Sequence, residues 1–403
     1  MKKFINYTQS LEILNSLNIS STSTQKLFVS DTLGRILAND IVALENSPAF
    51  ETSAMDGYAI KFEDLHLGKI KIIDKNPAGS VIDSVVTNGT CIKTFTGSLM
   101  PKGSDTLIPI ENVTVVDNFI YIDIEVPKNF SVREVGENYK KDEVLIQKGT
   151  KIDFAHIGVM ASLNAVQVEV FTKPVVAIAS TGSEILDVGV TQTNDAQIRS
   201  SNHLTLEAIA KKYGADVHQM GVVEDDRTSI TKLLQNALQK SDIVVTTGGV
   251  SVGDYDYVKD IIKDELGCDV LFQGVNIKPG QHILFAQKQS STGTKFVVGL
   301  PGFAYSSTVT FLLYILPLLF KFKGGTESLQ IIDAVITQDF PKKAPKTIFT
   351  ACNVVLENGQ YKIDFEGKKN GTSAILTNML GNPGLLIQEE KSDNLAKGDK
   401  VKV

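Results

Sequence analysis

The sequence predicts a multidomain α/β plus β chain: a doubly wound α/β domain, an inserted β-rich domain, a mixed domain linking them and a C-terminal β-barrel. Three observations carry this expectation. At 403 residues the chain exceeds one core, since domains usually run about 100 to 200 residues. Between residues 173 and 325, fully apolar strands alternate with helical periodicity. Around that stretch, short β-branched runs are punctuated by Gly, Pro, Asn and Asp. The predicted domains are 1–46 with 140–172 (mixed, linking), 47–139 (β-rich insertion), 173–325 (α/β) and 326–403 (barrel).

In chain order, Leu11, Leu14 and Leu17 predict a short helix over 8–18. Leu33, Ile36 and Leu37 suggest a second helix within Val29–Ala43. Lys69–Ile73, Val81–Val86 and Phe119–Val126 read as strands of the insertion. Val175–Ala179 is an apolar strand, and Ser201 or Asn202 caps a helix carrying Leu206, Ile209, Ala210 and Tyr213. Asp216–Val223 is a strand, after which Asp225 or Asp226 caps a helix with Ile230, Leu233, Leu234 and Ala237 on one face. Ile243–Thr246 and Phe296–Leu300 complete the buried strands. The apolar stretch Phe311–Phe322, interrupted by Pro317 and Lys321, is about a dozen residues, too short to span a bilayer, and reads as a buried helix. Turn signals at Glu357-Asn358-Gly359 and Gly381-Asn382-Pro383-Gly384 mark the barrel.

Composition narrows the function. A net charge of -6 with no basic run longer than Lys140-Lys141 or Lys342-Lys343 argues against a nucleic-acid partner. Met1–Ser10 lacks an apolar core, so no signal peptide is predicted, and a cytoplasmic protein without membrane attachment is expected. Cys91, Cys268 and Cys352 stand far apart and predict reduced, buried thiols, not a disulfide framework or a cysteine metal site. His156, His203 and His218 read as structural, whereas His282 stands close to Lys278.

Ligands of open α/β sheets bind beyond the carboxyl ends of the strands. Three loops fall there: Ser180–Glu184, Thr246–Gly253 and Gly299–Gly302. Glycine lets backbone N–H groups approach an anion, and Thr247 and Ser251 add hydroxyls, so a phosphate-bearing ligand or a purely structural turn are both open. The loop is neither a Walker A nor a GxGxxG sequence. Glu184, Asp225, Asp226, Asp254 and Asp256 cluster nearby as Mg²⁺ candidates or helix caps. Lys278, ahead of Pro279-Gly280, can meet an oxyanion as a point charge.

The most distinctive string is Ser47-Pro48-Ala49-Phe50 followed by Ser53-Ala54-Met55-Asp56-Gly57-Tyr58-Ala59. It resembles the hallmark of the MoeA family, which includes the C-terminal domain of gephyrin. Further blocks resemble that family in the same order: Leu33-Gly34-Arg35-Ile36-Leu37-Ala38, Thr96-Gly97 with Pro101, Gly103 and Asp105, Gly136-Glu137-Asn138, Thr181-Gly182-Ser183-Glu184, Gly248-Gly249-Val250-Ser251-Val252-Gly253 with Asp256-Tyr257, Lys278-Pro279-Gly280, Gly299-Leu300-Pro301-Gly302 and Ser373.

The resemblance implies insertion of molybdenum, supplied as molybdate, into adenylylated molybdopterin with release of AMP and Mg²⁺ assistance. It implies an elongated homodimer whose cleft lies between the α/β domain and the β-rich domain of the partner chain, and an adenylyltransferase that delivers the pterin. On this reading Asp56, Thr96, Glu184 and Lys278 are catalytic, and Asp56, Glu184, Asp226 and Asp256 hold the metal. Thr181, Gly182, Thr247, Gly248, Gly249, Ser251, Gly253, Pro301, Gly302 and Ser373 bind substrate. The chain departs from the family pattern at Asn138, at Gln281-His282, at Phe303-Ala304 and at Ala351-Cys352. Those departures keep two alternatives open, a tungstate-selective paralogue and a non-catalytic pterin-binding or scaffold protein.

Overall fold

The structure, a computed structural model, describes residues 4–19, 23–250, 257–325, 327–369, 373–381 and 383–403. It divides into two compact units, one of Asn39–Lys148 with Phe154–Val166, the other of the chain up to Ala38, Gly149–Asp153 and Gln167–Val403.

Helix α1 (Tyr7–Ser16) starts at a reciprocal capping box, in which Asn6 accepts from the Gln9 amide and Gln9 returns the bond. The second helix expected within Val29–Ala43 does not form. Val29–Asp31 makes one 3₁₀ turn, and Ile36 and Leu37 bridge to Lys151 and Val170. The physical reason is backbone pairing: the Leu37 amide donates to the Thr150 carbonyl and the Ala38 amide to the Glu169 carbonyl, each at 3.0 Å, which holds the segment extended.

The smaller unit is built on six strands: β1 (Gly57–Ile60), β2 (Lys69–Asn76), β3 (Thr90–Thr94), β4 (Thr106–Pro109), β5 (Val113–Val116) and β6 (Phe119–Ile122). They lie in the order β4-β1-β3-β2-β6-β5 over a core of Tyr58, Ile60, Ile70, Cys91, Ile108 and Ile120. A Cβ on Gly57 would stand 2.4 Å from the Ile108 carbonyl oxygen, so only glycine lets β1 lie against β4. Val81–Val86 is not a strand: Val81 is 85% exposed, and the segment is tied down by the Ser84 hydroxyl donating to Asp74 and the Val86 amide donating to the Lys102 carbonyl, not by a strand ladder. Helix α2 (Phe154–Ser162) completes this unit.

The larger unit centres on a six-stranded sheet of β7 (Val175–Thr181), β8 (Asp216–Val223), β9 (Ile243–Thr247), β10 (Asp269–Gln273), β11 (Leu284–Ser290) and β12 (Gly293–Leu300). Its order is β8-β7-β9-β12-β11-β10; the first four run parallel, and β11 and β10 are antiparallel additions. The sheet is therefore mixed, because the β11–β12 hairpin, turning at 290–293, folds straight back where a helical crossover would have kept it parallel. Helices α3 (Asn202–Lys212) and α4 (Arg227–Lys240) cross between parallel strands. Asp226 is the cap of α4, accepting from the Ser229 amide at 2.7 Å.

Helix α5 (Ala304–Lys323) is longer than the apolar run suggested. By length and composition it could cross a membrane, yet Phe311, Tyr314, Ile315, Leu318 and Leu319 are wholly buried in the α/β core. A π-type turn at Phe311–Ile315 precedes Pro317, whose missing N–H breaks the regular ladder. Each such buried side chain contributes roughly 1.5–3 kcal/mol of burial. Beyond it, β13 (Asp333–Ile336), β14 (Thr347–Glu357), β15 (Gln360–Asp364), β16 (Pro383–Gln388) and β17 (Lys400–Lys402) close into a barrel, β14-β15-β13-β17-β16 and back to β14. All three cysteines are free and buried, as the sequence predicts.

Candidate functional site

In the smaller unit, Asp56 follows a tight turn in which the Ser53 hydroxyl donates to the Met55 carbonyl. Thr96 donates both its hydroxyl, at 2.6 Å, and its backbone N–H, at 2.8 Å, to Asp56 Oδ1. The hydroxyl bond first, then the amide bond, with Lys93 adding a weaker attraction, hold the Asp56 carboxyl below its usual value. Asp56 is thus a fixed, ionised carboxylate whose second oxygen is not needed by Thr96.

In the larger unit, the carboxyl ends of β7, β9 and β12 open on a cavity of about 620 Å³. Thr181, Gly182 and Glu184 come from the β7 loop, Thr247, Gly248 and Gly249 from the β9 loop, and Pro301 and Gly302 from the β12 loop. Gly248 has φ +97, and a Cβ there would lie 2.8 Å from the Thr181 carbonyl oxygen; the turn is open to glycine alone. Thr181 is 6% exposed, and its hydroxyl oxygen has no hydrogen-bond partner among the described residues. A buried donor left unpaired costs about 1–3 kcal/mol, which a phosphate oxygen in the cavity would recover. Ser180 and Thr247 hydroxyls lie 3.0 Å apart on the same wall.

Asp225 lines this cavity and accepts from the Ser183 amide at 3.3 Å, while its neighbour Asp226 is committed to capping α4. Ser251, Gly253, Asp254 and Asp256 lie outside the described residues. Arg199, Ser200, Asn202, His282 and Phe303, none assigned to the site from sequence, also line the cavity. His282 packs edge-on against Phe4 at 5.7 Å.

Lys278 and Ser373 meet in a second, smaller pocket of about 80 Å³ at the junction of the α/β sheet and the barrel. Lys343, Lys369, Asn378 and Gln388 complete its polar wall. Gln388 is 2% exposed, and neither its amide oxygen nor its amide nitrogen has a partner among the described residues. Tyr305 closes the apolar side, donating to the Phe349 carbonyl at 3.2 Å and accepting from the Ala351 amide at 2.8 Å. Burial pushes its phenol up to about 12, so it adds no negative charge. Ser373 is fixed by its own carbonyl, which accepts from the Ser306 amide at 3.1 Å. At roughly 10–15 Å³ per water, the pocket suits one small polyatomic anion and not a nucleotide.

The two pockets share walls. Ser373 lines the small one and Ala374 the large one; Tyr305 lines the small one and Ala304 the large one. A glycine-turn cavity of nucleotide size adjoins a lysine-lined pocket of oxyanion size, which defines an α/β protein with two adjoining anion sites. Residues 5–164 match the family described as "MoeA N-terminal region (domain I and II)", and residues 177–321 match "Probable molybdopterin binding domain". The molybdopterin molybdenumtransferase of Staphylococcus aureus is 34% identical over 84% of this chain and 81% of its own length. That of Haemophilus influenzae is 28% identical over 95% and 94%. The crystal structure of the molybdopterin biosynthesis moeA protein from Pyrococcus horikoshii OT3 superposes with a TM-score of 0.83 at 28% identity, covering 99% of each chain. The chain belongs to the MoeA family of molybdopterin molybdenumtransferases, transferases of molybdenum cofactor biosynthesis.

Proposed function

We propose that this chain inserts molybdenum from molybdate into adenylylated molybdopterin and releases AMP. The observation that carries the reading is the adjacency of the two pockets, with Ser373 and Ala374 on either side of their shared wall. Molybdate is a dianion and the pterin substrate carries phosphates, so bringing them together requires donors fixed in advance. The glycine turn and the Thr181 hydroxyl would hold the phosphates, and Lys278, Lys343 and Lys369 would offset the charge of the oxyanion. The pterin's own dithiolene sulfurs would receive the metal, so the buried cysteines are not needed.

Mg²⁺ commonly binds through one or two carboxylates plus substrate phosphates. Glu184 and Asp225, both lining the cavity, fit that requirement and would hold the ion, although the described residues contain no cluster of three metal-binding side chains. When bound, the ion would neutralise phosphate charge. Asp56, ionised and aligned by Thr96, would serve as the catalytic carboxylate. A homodimer, a cytoplasmic location and delivery of the pterin by an adenylyltransferase belong to the same proposal.

The test is reconstitution: purified protein, adenylylated molybdopterin and Mg²⁺ with either molybdate or tungstate, following AMP. AMP release with molybdate is expected, and Asp56→Asn should abolish it while leaving pterin binding within about twofold. Absence of AMP with both oxyanions would favour a pterin-binding scaffold.

A further inference from the structure

Beside the glycine turn, the cavity wall carries a hydrogen-bonded chain of side chains that the reading above does not use. A short parallel ladder pairs Ile185 with Ile198 and Leu186 with Arg199. The ladder continues with the Ser200 amide donating to the Leu186 carbonyl at 2.8 Å, so Asp187 and Ser200 emerge side by side at its end. Arg199 fastens the Asp187 loop by donating to the Asp187 carbonyl at 3.0 Å and to the Val190 carbonyl. Helix α3 starts two residues after Ser200, and its first turn brings His203 back over the same point.

The contacts that result have the order acid, base, hydroxyl. His203 Nε2 lies 3.2 Å from Asp187 Oδ1, and His203 Nδ1 lies 2.8 Å from Ser200 Oγ. His203 is 3% exposed and Ser200 6% exposed, while Ser200 lines the cavity. A carboxylate facing Nε2 fixes the proton on that nitrogen, which leaves Nδ1 at 2.8 Å as the nearer acceptor for the serine proton, ahead of Ser180 Oγ at 3.4 Å. The first turn of α3 has no side-chain cap, so backbone N–H groups next to Ser200 remain as donors for an anionic oxygen.

We infer that Asp187, His203 and Ser200 form a nucleophilic triad that acts on phosphorus electrophiles, phosphoanhydrides in particular, in this cavity. In the step assigned to it, Ser200 Oγ bonds to phosphorus as the bridging P–O bond breaks. The serine proton passes to His203 Nδ1, and His203 returns it to the departing phosphate oxygen. Water then cleaves the serine phosphoester by the same proton route, regenerating the hydroxyl. A phosphoanhydride as the substrate rests on the cavity being a phosphate site, as proposed above; the activation of Ser200 does not.

The probe is a small fluorophosphonate, whose P–F bond breaks as the Ser200 Oγ–P bond forms, followed by intact mass and peptide mapping of the full chain. Stoichiometric labelling of Ser200 is expected, lost in Ser200→Ala and slowed at least about tenfold in His203→Gln. Because His203 is buried and its variant can misfold, Asp187→Asn, altered at a half-exposed carboxylate, is the second arm; it favours the wrong tautomer and should slow labelling by about the same factor. An unlabelled Ser200 in the unaltered protein, or an Asp187→Asn rate equal to the parent's, overturns the inference. AMP release without Ser200 labelling leaves the molybdenum-insertion reading standing and removes only the triad. Labelling without AMP release does the reverse.

Discussion

The large cavity and the small pocket both suit anions, but they do so by opposite means. The cavity presents a glycine turn, hydroxyls and, on the same walls, the carboxylates Glu184 and Asp225. The pocket presents Lys278, Lys343 and Lys369 around a buried amide. Fixed dipoles cost no reorganisation and discriminate by shape, which suits a large ligand with scattered phosphate oxygens. Exposed ammonium groups are point charges that attract any small anion and are screened by salt. On the proposed reading, affinity in the cavity would depend on backbone geometry, whereas affinity in the pocket would depend on charge count.

The strongest way to break that contrast is Gly248→Val. A branched side chain at φ +97, with its Cβ 2.8 Å from the Thr181 carbonyl oxygen, distorts the turn. Pterin-nucleotide affinity, read by calorimetry, should fall about 100-fold, in line with the roughly 1–3 kcal/mol of a strained backbone. Molybdate binding to the same variant should stay within about twofold. Next comes Lys278→Ala, expected to weaken molybdate binding about tenfold without moving nucleotide affinity. In the parent protein, raising the salt to 0.5 M should weaken molybdate several-fold more than the nucleotide, at a Debye length of about 4 Å. Equal salt dependence of the two ligands would refute the division between dipoles and charges.

Gln388→Leu sharpens the same comparison from the stability side. Replacing the buried, unpartnered amide by an apolar group should raise the unfolding free energy by about 1 kcal/mol while loosening molybdate binding a few-fold. A destabilised variant would mean that the amide already has a partner. The smallest effect concerns the charge in the other unit. Thr96→Val removes the leading cause of the depressed Asp56 carboxyl, so its titration should move up toward 3.8. The group stays ionised at pH 7 in both proteins. Native stability from this bond is present above the unfolded value and lost as pH falls through the folded one, so the variant should lose its acid resistance first. Carbon-detected NMR of Asp56 reads this directly.

Much of the fold was legible because its signals are local. Apolar runs at Val175–Ala179, Ile243–Thr246 and Phe296–Leu300 are strands, Asp226 caps its helix, and Ser201 stands at the start of α3 without a side-chain cap bond. Where the local signal was ambiguous, packing decided. Leu33, Ile36 and Leu37 have helical spacing, yet bridges from Lys151 and Val170 draw the last two into extended pairing. The antiparallel edge of the main sheet, β10 and β11, carries too little alternation to be read in advance.

By itself, the sequence determined the family, the layers and the glycine-turn chemistry, because a motif is a set of neighbours along the chain and its turn geometry follows from residue type. Tertiary structure alone decided which of Asp225 and Asp226 faces the cavity. It also set Lys343, Lys369 and Gln388 around Lys278, and Asp187 and His203 beside Ser200. Those groups are joined by sheet register, barrel closure and helix entry angle, which sum many weak packing contacts between distant segments and leave no periodic trace in any one of them.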